Sequence, residues 1–357
     1  MDDFVPAQRT TDGLPQPHDP GADNAATPPV RFGVLGTSSI GWRRVLPAMA
    51  GCPQTDLVAV AGRSPQRAQR FADRFGGAAT SYQALLERDD VDAVYVSLPP
   101  ALHAEWALRA LHAGKHVLVE KPIGTTAAEA REVVALAEKR DLVLRENFMF
   151  LHHPQHEAVA ALLNAGRLGG LRSLHSAFCF PPLPSQDIRY VPGLGGGALL
   201  DAGVYPLRAA GMLLGPGLRV TGASTRVRRS DGLELSGQAL LASPSGVLAT
   251  VEFGFEHCYA SSYRLWGEQA RLTVDRAYTP PPAYQPVLTL EEQDHREQFV
   301  LPAADQLGRS LSDFAAAVTA GRAASAPAEI RWRQDAVAMM ELVDAVRDRA
   351  VAVPVDG

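Results

Sequence analysis

From Val30 to about residue 150 the chain repeats one pattern, a short apolar run followed by a stretch with helical spacing. The runs are VRFGVL, DLVAVAG, VDAVYVSL, HVLVEK and LVLRENF. Between them lie PQRAQRFADRFG, ALHAEWALRALHAG and AAEAREVVALAEKR, each ending near Gly or a basic residue as helix C-termini tend to. This alternation is the signature of a parallel sheet wrapped by helices. Residues 28–150 are therefore expected to form a doubly wound α/β domain.

After residue 150 the pattern changes to longer β-like runs: LRSLHSAFCF, LRVTGASTRVR, GVLATVEFGFE, YRLWGEQARLTVD and PVLTLEE. They lie close together and often alternate apolar with polar residues, which predicts a large, mostly antiparallel open sheet. EIRWRQDAVAMMELVDAVRDRA has helical spacing and is expected to close the molecule, and TPPPAYQP reads as a loop. Residues 151–357 are thus expected to be a second, α+β domain, as a chain of 357 residues exceeds what one core usually covers. Residues 1–27 are polar and rich in Pro, Gly and Asp, so they are expected to stay disordered outside the fold.

A net charge of −5 with interspersed signs provides no basic stripe for nucleic acid or an anionic membrane. Neither is expected as a partner. The three cysteines, Cys52, Cys179 and Cys258, are widely spaced and odd in number, which fits a reducing compartment. With no apolar run long enough for a membrane span and no signal-peptide order at the N-terminus, a cytoplasmic location is expected.

RFGVLGTSSIGWRRVL sets Gly36, Ser38 and Gly41 where a G-x-G-x-x-G fingerprint falls, after a predicted strand and before a helix. Such a turn, Gly36-Thr37-Ser38-Ser39-Ile40-Gly41, turns backbone N–H groups and a helix N-terminus towards a pyrophosphate. Serine in the second slot departs from the fingerprint but is small. Roughly twenty residues further on, an NAD site usually offers a carboxylate for the ribose 2′-hydroxyl. Here the strand end carries Arg63 and Ser64, with Arg67 one turn beyond. Guanidinium groups suit a 2′-phosphate, so NADP(H) is expected over NAD(H).

GKHVLVEKPIG puts Glu120, Lys121 and Pro122 at a strand's C-terminal end, the edge where open α/β sheets bind ligands. A lysine leaving an apolar strand there is suited to hydrogen-bonding a reacting oxygen. In GGGALLDAGVYPL, Asp201 and Tyr205 are spaced i, i+4 and share a helical face.

The chain resembles the glucose-fructose oxidoreductase and inositol dehydrogenase (Gfo/Idh/MocA) family over roughly residues 30–350. The resemblance rests on the order and spacing of GVLGTSSIG, LPPALHAEWALRALHAGKHVLVEKP, ENFMFLHHPQH and GGGALLDAGVY. It implies an N-terminal Rossmann domain and a C-terminal substrate-binding and oligomerisation domain. It places Lys121 beside nicotinamide and substrate, with Glu120, Leu98, Pro99 and His103 lining the cofactor cleft. Tyr205 stands where many relatives have histidine, and this, with FCFPPLPSQDIRYVPGLGGGALLDAGVYPLRAA and EFGFEHCY, resembles the nucleotide-linked hexose 3-ketoreductases of deoxysugar biosynthesis.

That resemblance implies reduction of the C3 ketone of a nucleotide-linked 3,4-diketo-2,6-dideoxyhexose. Tyr205 is then the general acid, with packing as the alternative, and Lys121 assists it. Asp201 either accepts from a sugar hydroxyl or positions Lys121, or else caps its helix. Arg189 is expected to meet a phosphate of cofactor or nucleotide. His153 and His156 lack an acidic or cysteine ligand nearby, so no metal is expected. A homodimer or homotetramer through the outer sheet face follows by analogy. A sugar, polyol or dihydrodiol dehydrogenase working oxidatively and a non-catalytic dinucleotide-binding regulator are the alternatives.

Overall fold

The computed structural model describes residues 8–10 and 28–356. The first of its two sheets has six strands in the order Ala78–Thr80, Thr55–Ala61, Val30–Leu35, Ala93–Val96, His116–Val119 and Leu144–Glu146. All its pairings are parallel, as expected from the alternation. The strand Ala78–Thr80 was not anticipated, because AAT carries no apolar run.

Period-two alternation sends side chains to both faces of this sheet. Phe32, Val34, Val60 and Tyr95 pack with Val45, Leu46 and Met49 of the helix at 39–50 on one face. Leu35, Ala61, Val96 and Val119 pack on the other with helices His103–His112 and Ala127–Arg140. Helix Gln306–Ala320 completes the first face, with Leu307, Leu311 and Phe314 in the core beside Phe32. The chain therefore returns to the parallel sheet, which a single cut between residues 150 and 151 does not capture. Helical spacing marks such a helix as amphipathic but says nothing of which sheet it covers.

The second sheet runs Gln8–Thr10, Arg296–Val300, Val287–Glu291, Arg271–Asp275, Ala260–Gly267, Leu171–Cys179, Leu248–Gly254, Glu234–Ala242, Arg219–Arg228 and Ala350–Val355. Most pairings are antiparallel, with three parallel exceptions. YRLWGEQARLTVD is a hairpin of two strands rather than one run. Glu234–Ala242, Arg296–Val300 and Ala350–Val355 carry a central glycine, few apolar residues and a proline respectively, each of which blurs a strand pattern. Gln8–Thr10 pairs in parallel with Arg296–Val300, a correction to the expectation that residues 1–27 stay wholly outside the fold. Edge pairing draws on backbone groups, which composition does not reveal. The rest of that extension lies outside the described residues.

Helix Val204–Leu214 packs on the inner face of the second sheet, and helix Pro327–Arg349 bridges it to helix Ala127–Arg140. Trp332 on the bridging helix stacks on His152 at 5.6 Å and has the guanidinium groups of Arg145 and Arg208 at 5.2 and 5.8 Å. Arg145 also pairs with Glu329, and with Asp313 at 2.7 Å, so the last strand of the parallel sheet is tied to both C-terminal helices. Among the described residues no helix is long and apolar enough to cross a membrane.

The strand order reverses between Val30–Leu35 and Ala93–Val96, and Gly36 sits at this switch point. Its φ is +108°, and a Cβ there would lie 2.2 Å from the Ser97 carbonyl oxygen. Only glycine fits. Gly36→Ala is expected to cost on the order of 2–4 kcal/mol of stability in urea denaturation, from overpacking combined with a disallowed φ; an unchanged midpoint would contradict this account of the turn.

Candidate active site

At the switch point the turn closes on itself through serines. Ser38 Oγ accepts from Gly41 N–H at 3.0 Å and is hydrogen-bonded to Ser97 Oγ on the neighbouring strand end. Serine in the fingerprint's second slot thus ties two strand ends together. The helix that follows is wound as a π-helix over Gly41–Val45. Thr37, Ser38, Ser39 and Ile40 remain partly or fully exposed at its start, and Leu98 lies over Gly36 with Pro99 beside it. A turn in which a Cβ would have no room, opening onto a helix N-terminus, fits a bound pyrophosphate.

Ser64 caps helix Pro65–Phe75 by accepting from Arg67 N–H at 3.3 Å. Arg67 donates from Nη2 to the Thr37 carbonyl at 2.7 Å, bracing the second strand end against the turn. Arg63 is exposed and makes no ion pair among the described residues, leaving its guanidinium open to an anion. Of the three residues expected to favour a 2′-phosphate, Arg67 thus braces the turn and Ser64 caps the helix that carries Arg67.

The segment 120–125 is pinned from several sides. His103 is buried with Nδ1 at 2.7 Å from the Pro122 carbonyl and Nε2 at 2.6 Å from the Leu98 carbonyl. It clamps the Leu98 and Pro122 loops together. Glu120 Oε1 accepts from Tyr95 Oη at 2.6 Å and Asn147 Nδ2 at 2.8 Å, so this oxygen faces the sheet core rather than the cofactor. Glu146, wholly buried, accepts from Ile123 N–H at 2.7 Å. Arg347 donates to the Thr125 carbonyl at 2.7 Å. Neither Glu146 nor Arg347 carries a motif that sequence reading could have found.

Lys121 emerges from this segment towards the helical start of the second layer. Its Nζ donates to the Asp201 carbonyl at 2.7 Å and to Asp201 Oδ1 at 3.0 Å. Asp201 sits in a second π-helical turn, Leu199–Gly203, which runs directly into helix Val204–Leu214. Its other oxygen, Oδ2, accepts from Arg189 Nε at 2.7 Å, and Arg189 also pairs with Asp187. Of the roles open to Asp201, positioning Lys121 is the one the contacts carry. Arg189 is thus held by two carboxylates, partners that no local motif could have supplied. Burial works against the Asp201 carboxylate, but the Lys121 and Arg189 charges outweigh it and hold Asp201 below its ordinary pKa.

Tyr205 lies directly beneath the ammonium, with Lys121 Nζ 4.9 Å from its ring centroid. Its ring is caged by Phe178 at 4.7 Å, Phe148 at 5.5 Å, Tyr278 at 5.6 Å and Phe150 at 6.0 Å. Among the described residues no protein group hydrogen-bonds its hydroxyl. Burial, then the charges of Glu120 and Asp201, push its pKa well above that of a free phenol. The cage was not foreseen, because its members come from three segments distant in sequence. The glycine turn before Asp201 packs on the Leu98–His103 segment: a Cβ on Gly195, whose φ is +77°, would meet Ala101 N at 2.8 Å. Among the described residues no three His, Cys, Asp or Glu side chains are arranged to hold a metal. His156 contacts the Tyr263 hydroxyl at 2.8 Å and the Ala277 carbonyl at 3.1 Å.

A dinucleotide turn at a switch point, facing a lysine and a phenol across a cleft, defines an oxidoreductase. Residues 30–148 match the model of the oxidoreductase family with an NAD-binding Rossmann fold, and residues 156–273 match the GFO/IDH/MocA C-terminal domain. The chain belongs to the Gfo/Idh/MocA family. It is 52% identical over 323 residues, 90% of this chain and 96% of the other, to dTDP-3,4-didehydro-2,6-dideoxy-alpha-D-glucose 3-reductase of Actinomadura kijaniata. It is similar to the crystal structure of KijD10, a 3-ketoreductase from that organism in complex with NADP and TDP-benzene. The TM-score is 0.88 and the identity 51%, covering 92% of this chain and 99% of that one. Variants of KijD10 with a tyrosine changed to phenylalanine and a lysine changed to alanine have also been crystallised. Those two positions are as far apart in that chain as Lys121 and Tyr205 are here.

Glu146 makes the floor of the site sensitive to pH. Burial raises its pKa from 4.5 to about 7, with the Ile123 N–H and the Arg208 charge opposing. Because the folded value lies above the unfolded one, its contribution to stability is fully present below about 4.5 and lost as pH rises through about 7. Glu146→Gln keeps an acceptor for Ile123 and removes the titration. Its stability relative to wild type is expected to rise by up to about 3 kcal/mol between pH 4.5 and 8 in urea denaturation. Parallel curves for the two proteins would contradict this.

Proposed function

We propose that this chain is an NADPH-dependent 3-ketoreductase acting in deoxysugar biosynthesis. It reduces the C3 ketone of a dTDP-linked 3,4-diketo-2,6-dideoxyhexose. The observation that carries the reading is the Lys121–Asp201 contact, which holds an ammonium over Tyr205 at the C-terminal edge of the parallel sheet. Relatives covering nearly the whole chain support it.

NADPH, when bound, supplies the hydride. The turn from Gly36 to Gly41 and the exposed Arg63 would hold it, and Leu98 and Pro99 would border it. As hydride reaches C3, negative charge develops on the carbonyl oxygen and must be met. Lys121 has three N–H donors and spends two on Asp201, so one remains for that oxygen. Asp201, itself held by Arg189, keeps the ammonium aimed. Tyr205 donates the proton, and the neighbouring ammonium stabilises the phenolate left behind. The aromatic cage excludes water around the phenol.

Self-association of the chain as a homodimer or homotetramer fits the outer face of the ten-stranded sheet, where Leu240, Leu248 and Trp266 are exposed. The free cysteines Cys52, Cys179 and Cys258 fit a cytoplasmic enzyme.

Losing the lysine removes charge that nothing else replaces, whereas losing the phenol leaves an ammonium able to give up a proton. Lys121→Ala is therefore expected to lower kcat on the dTDP-linked diketone on the order of 10³-fold, and Tyr205→Phe about 10- to 10²-fold. Unchanged turnover in Tyr205→Phe would leave Lys121 as the sole acid. Faster NADPH-linked turnover of free sugars than of the nucleotide-linked diketone would sink the assignment. Arg63→Ala is expected to reduce the preference for NADPH over NADH in kcat/KM by about 10-fold, and an undiminished preference would remove Arg63 from the 2′-phosphate site.

A further inference from the structure

One end of the ten-stranded sheet closes over the site, and it carries a cation that the mechanism does not use. Strands Leu171–Cys179 and Leu248–Gly254 end here, strand Ala260–Gly267 begins here, and strand Arg271–Asp275 ends here. Tyr259 and Arg276 lie just beyond the last two. From the phenol of the site outwards, Tyr205 touches Phe178 at 4.7 Å, and Phe178 meets Tyr259 at 6.5 Å. The guanidinium of Arg276 lies 4.5 Å from the Tyr259 ring centroid.

The other arginines at this end have carboxylate partners. Arg189 pairs with Asp201 and Asp187, Arg228 with Asp231, and Arg226 approaches Glu256 at 3.9 Å. Arg276 makes no ion pair among the described residues, not even with adjacent Asp275, and it is exposed. Yet it is held in place. Its φ is +52°, a left-handed conformation that costs free energy at a residue other than glycine. Its carbonyl accepts from the buried Gln155 Nε2 at 3.4 Å, and the Tyr259 hydroxyl is fastened to Thr279 Oγ1 at 2.6 Å. A strained backbone that presents an unpaired cation beside a reaction site is a feature expected to have a use.

We propose that Arg276, set by the Tyr259 ring, binds the diphosphate of the nucleotide-linked substrate and so distinguishes it from a free sugar. This rests on the function proposed above. A guanidinium forks to two phosphate oxygens, and its flat face lies on an aromatic ring without giving up those donors. The substrate's reacting carbonyl lies at Lys121 and Tyr205, so the sugar spans the Phe178 wall and its anionic tail emerges towards Tyr259.

The test is calorimetric titration of thymidine diphosphate into the NADP-loaded protein, with wild type, Arg276→Ala and Arg276→Gly compared. The glycine variant suits the positive φ and so separates loss of the cation from loss of folding. Both variants are expected to bind thymidine diphosphate roughly 10- to 100-fold more weakly while NADPH affinity is kept. Wild-type affinity in both variants would overturn the subsite while leaving the ketoreductase reading intact. If wild type itself fails to bind thymidine diphosphate, the functional reading falls and takes the subsite with it.

Discussion

The contact between Lys121 and Asp201 is the point on which the two layers of this molecule converge. One partner ends a strand of the parallel sheet and the other begins a helix of the second layer, and their side chains are only 12% and 17% exposed. A pair so withdrawn from water must be well satisfied, since breaking one by removing a single partner costs on the order of 3–5 kcal/mol. Here the carbonyl of Asp201 and the guanidinium of Arg189 supply the missing partners. Binding of the ammonium and relative placement of the layers are thus one event, and the cleft has its reactive geometry only when the two halves are docked.

Much of the surrounding structure holds that contact still. His103, Glu146 and Arg347 each fasten a different backbone group of the segment after Lys121. On the far side the π-helical turn around Asp201 runs into the helix bearing Tyr205. A second π-turn follows the Gly36–Gly41 turn, so both regions depart from regular helical winding, as functional segments often do. Trp332, with its stacked His152 and two guanidinium neighbours, ties the bridging helix to both layers at a distance from the chemistry. Tyr205 completes an aromatic core with its ring, and its hydroxyl has no protein partner among the described residues.

The parallel sheet was legible because its buried strands are apolar runs separated by amphipathic helices, a pattern that survives without any long-range information. Ala78–Thr80 was not, since a three-residue edge strand of small residues carries no such signal. The second sheet was legible where strands alternate, as in Leu171–Cys179, and obscure where Gly or Pro interrupts them, as in Glu234–Ala242 and Ala350–Val355. In the site, Lys121, Asp201, Tyr205 and the glycine turn stood out because each belongs to a local motif. For Arg189 and His103 the sequence carried no sign of the protein partners they make. Arg189 pairs with Asp201 and Asp187, and the His103 ring contacts two backbone carbonyls from other parts of the chain.

What the amino-acid order determined by itself is therefore the local chemistry. It set which segments become strands and helices, where glycine must sit to let strand ends approach, and which side chains can move a proton or meet a phosphate. Tertiary structure alone decided which of those groups neutralise one another. It set Arg189 against Asp201, buried Glu146 until its pKa reached about 7, and left Arg63 and Arg276 without carboxylate partners among the described residues. The reason is physical: a side chain's type is inherited from the sequence, but its charge state, its partners and its exposure depend on what the fold packs around it.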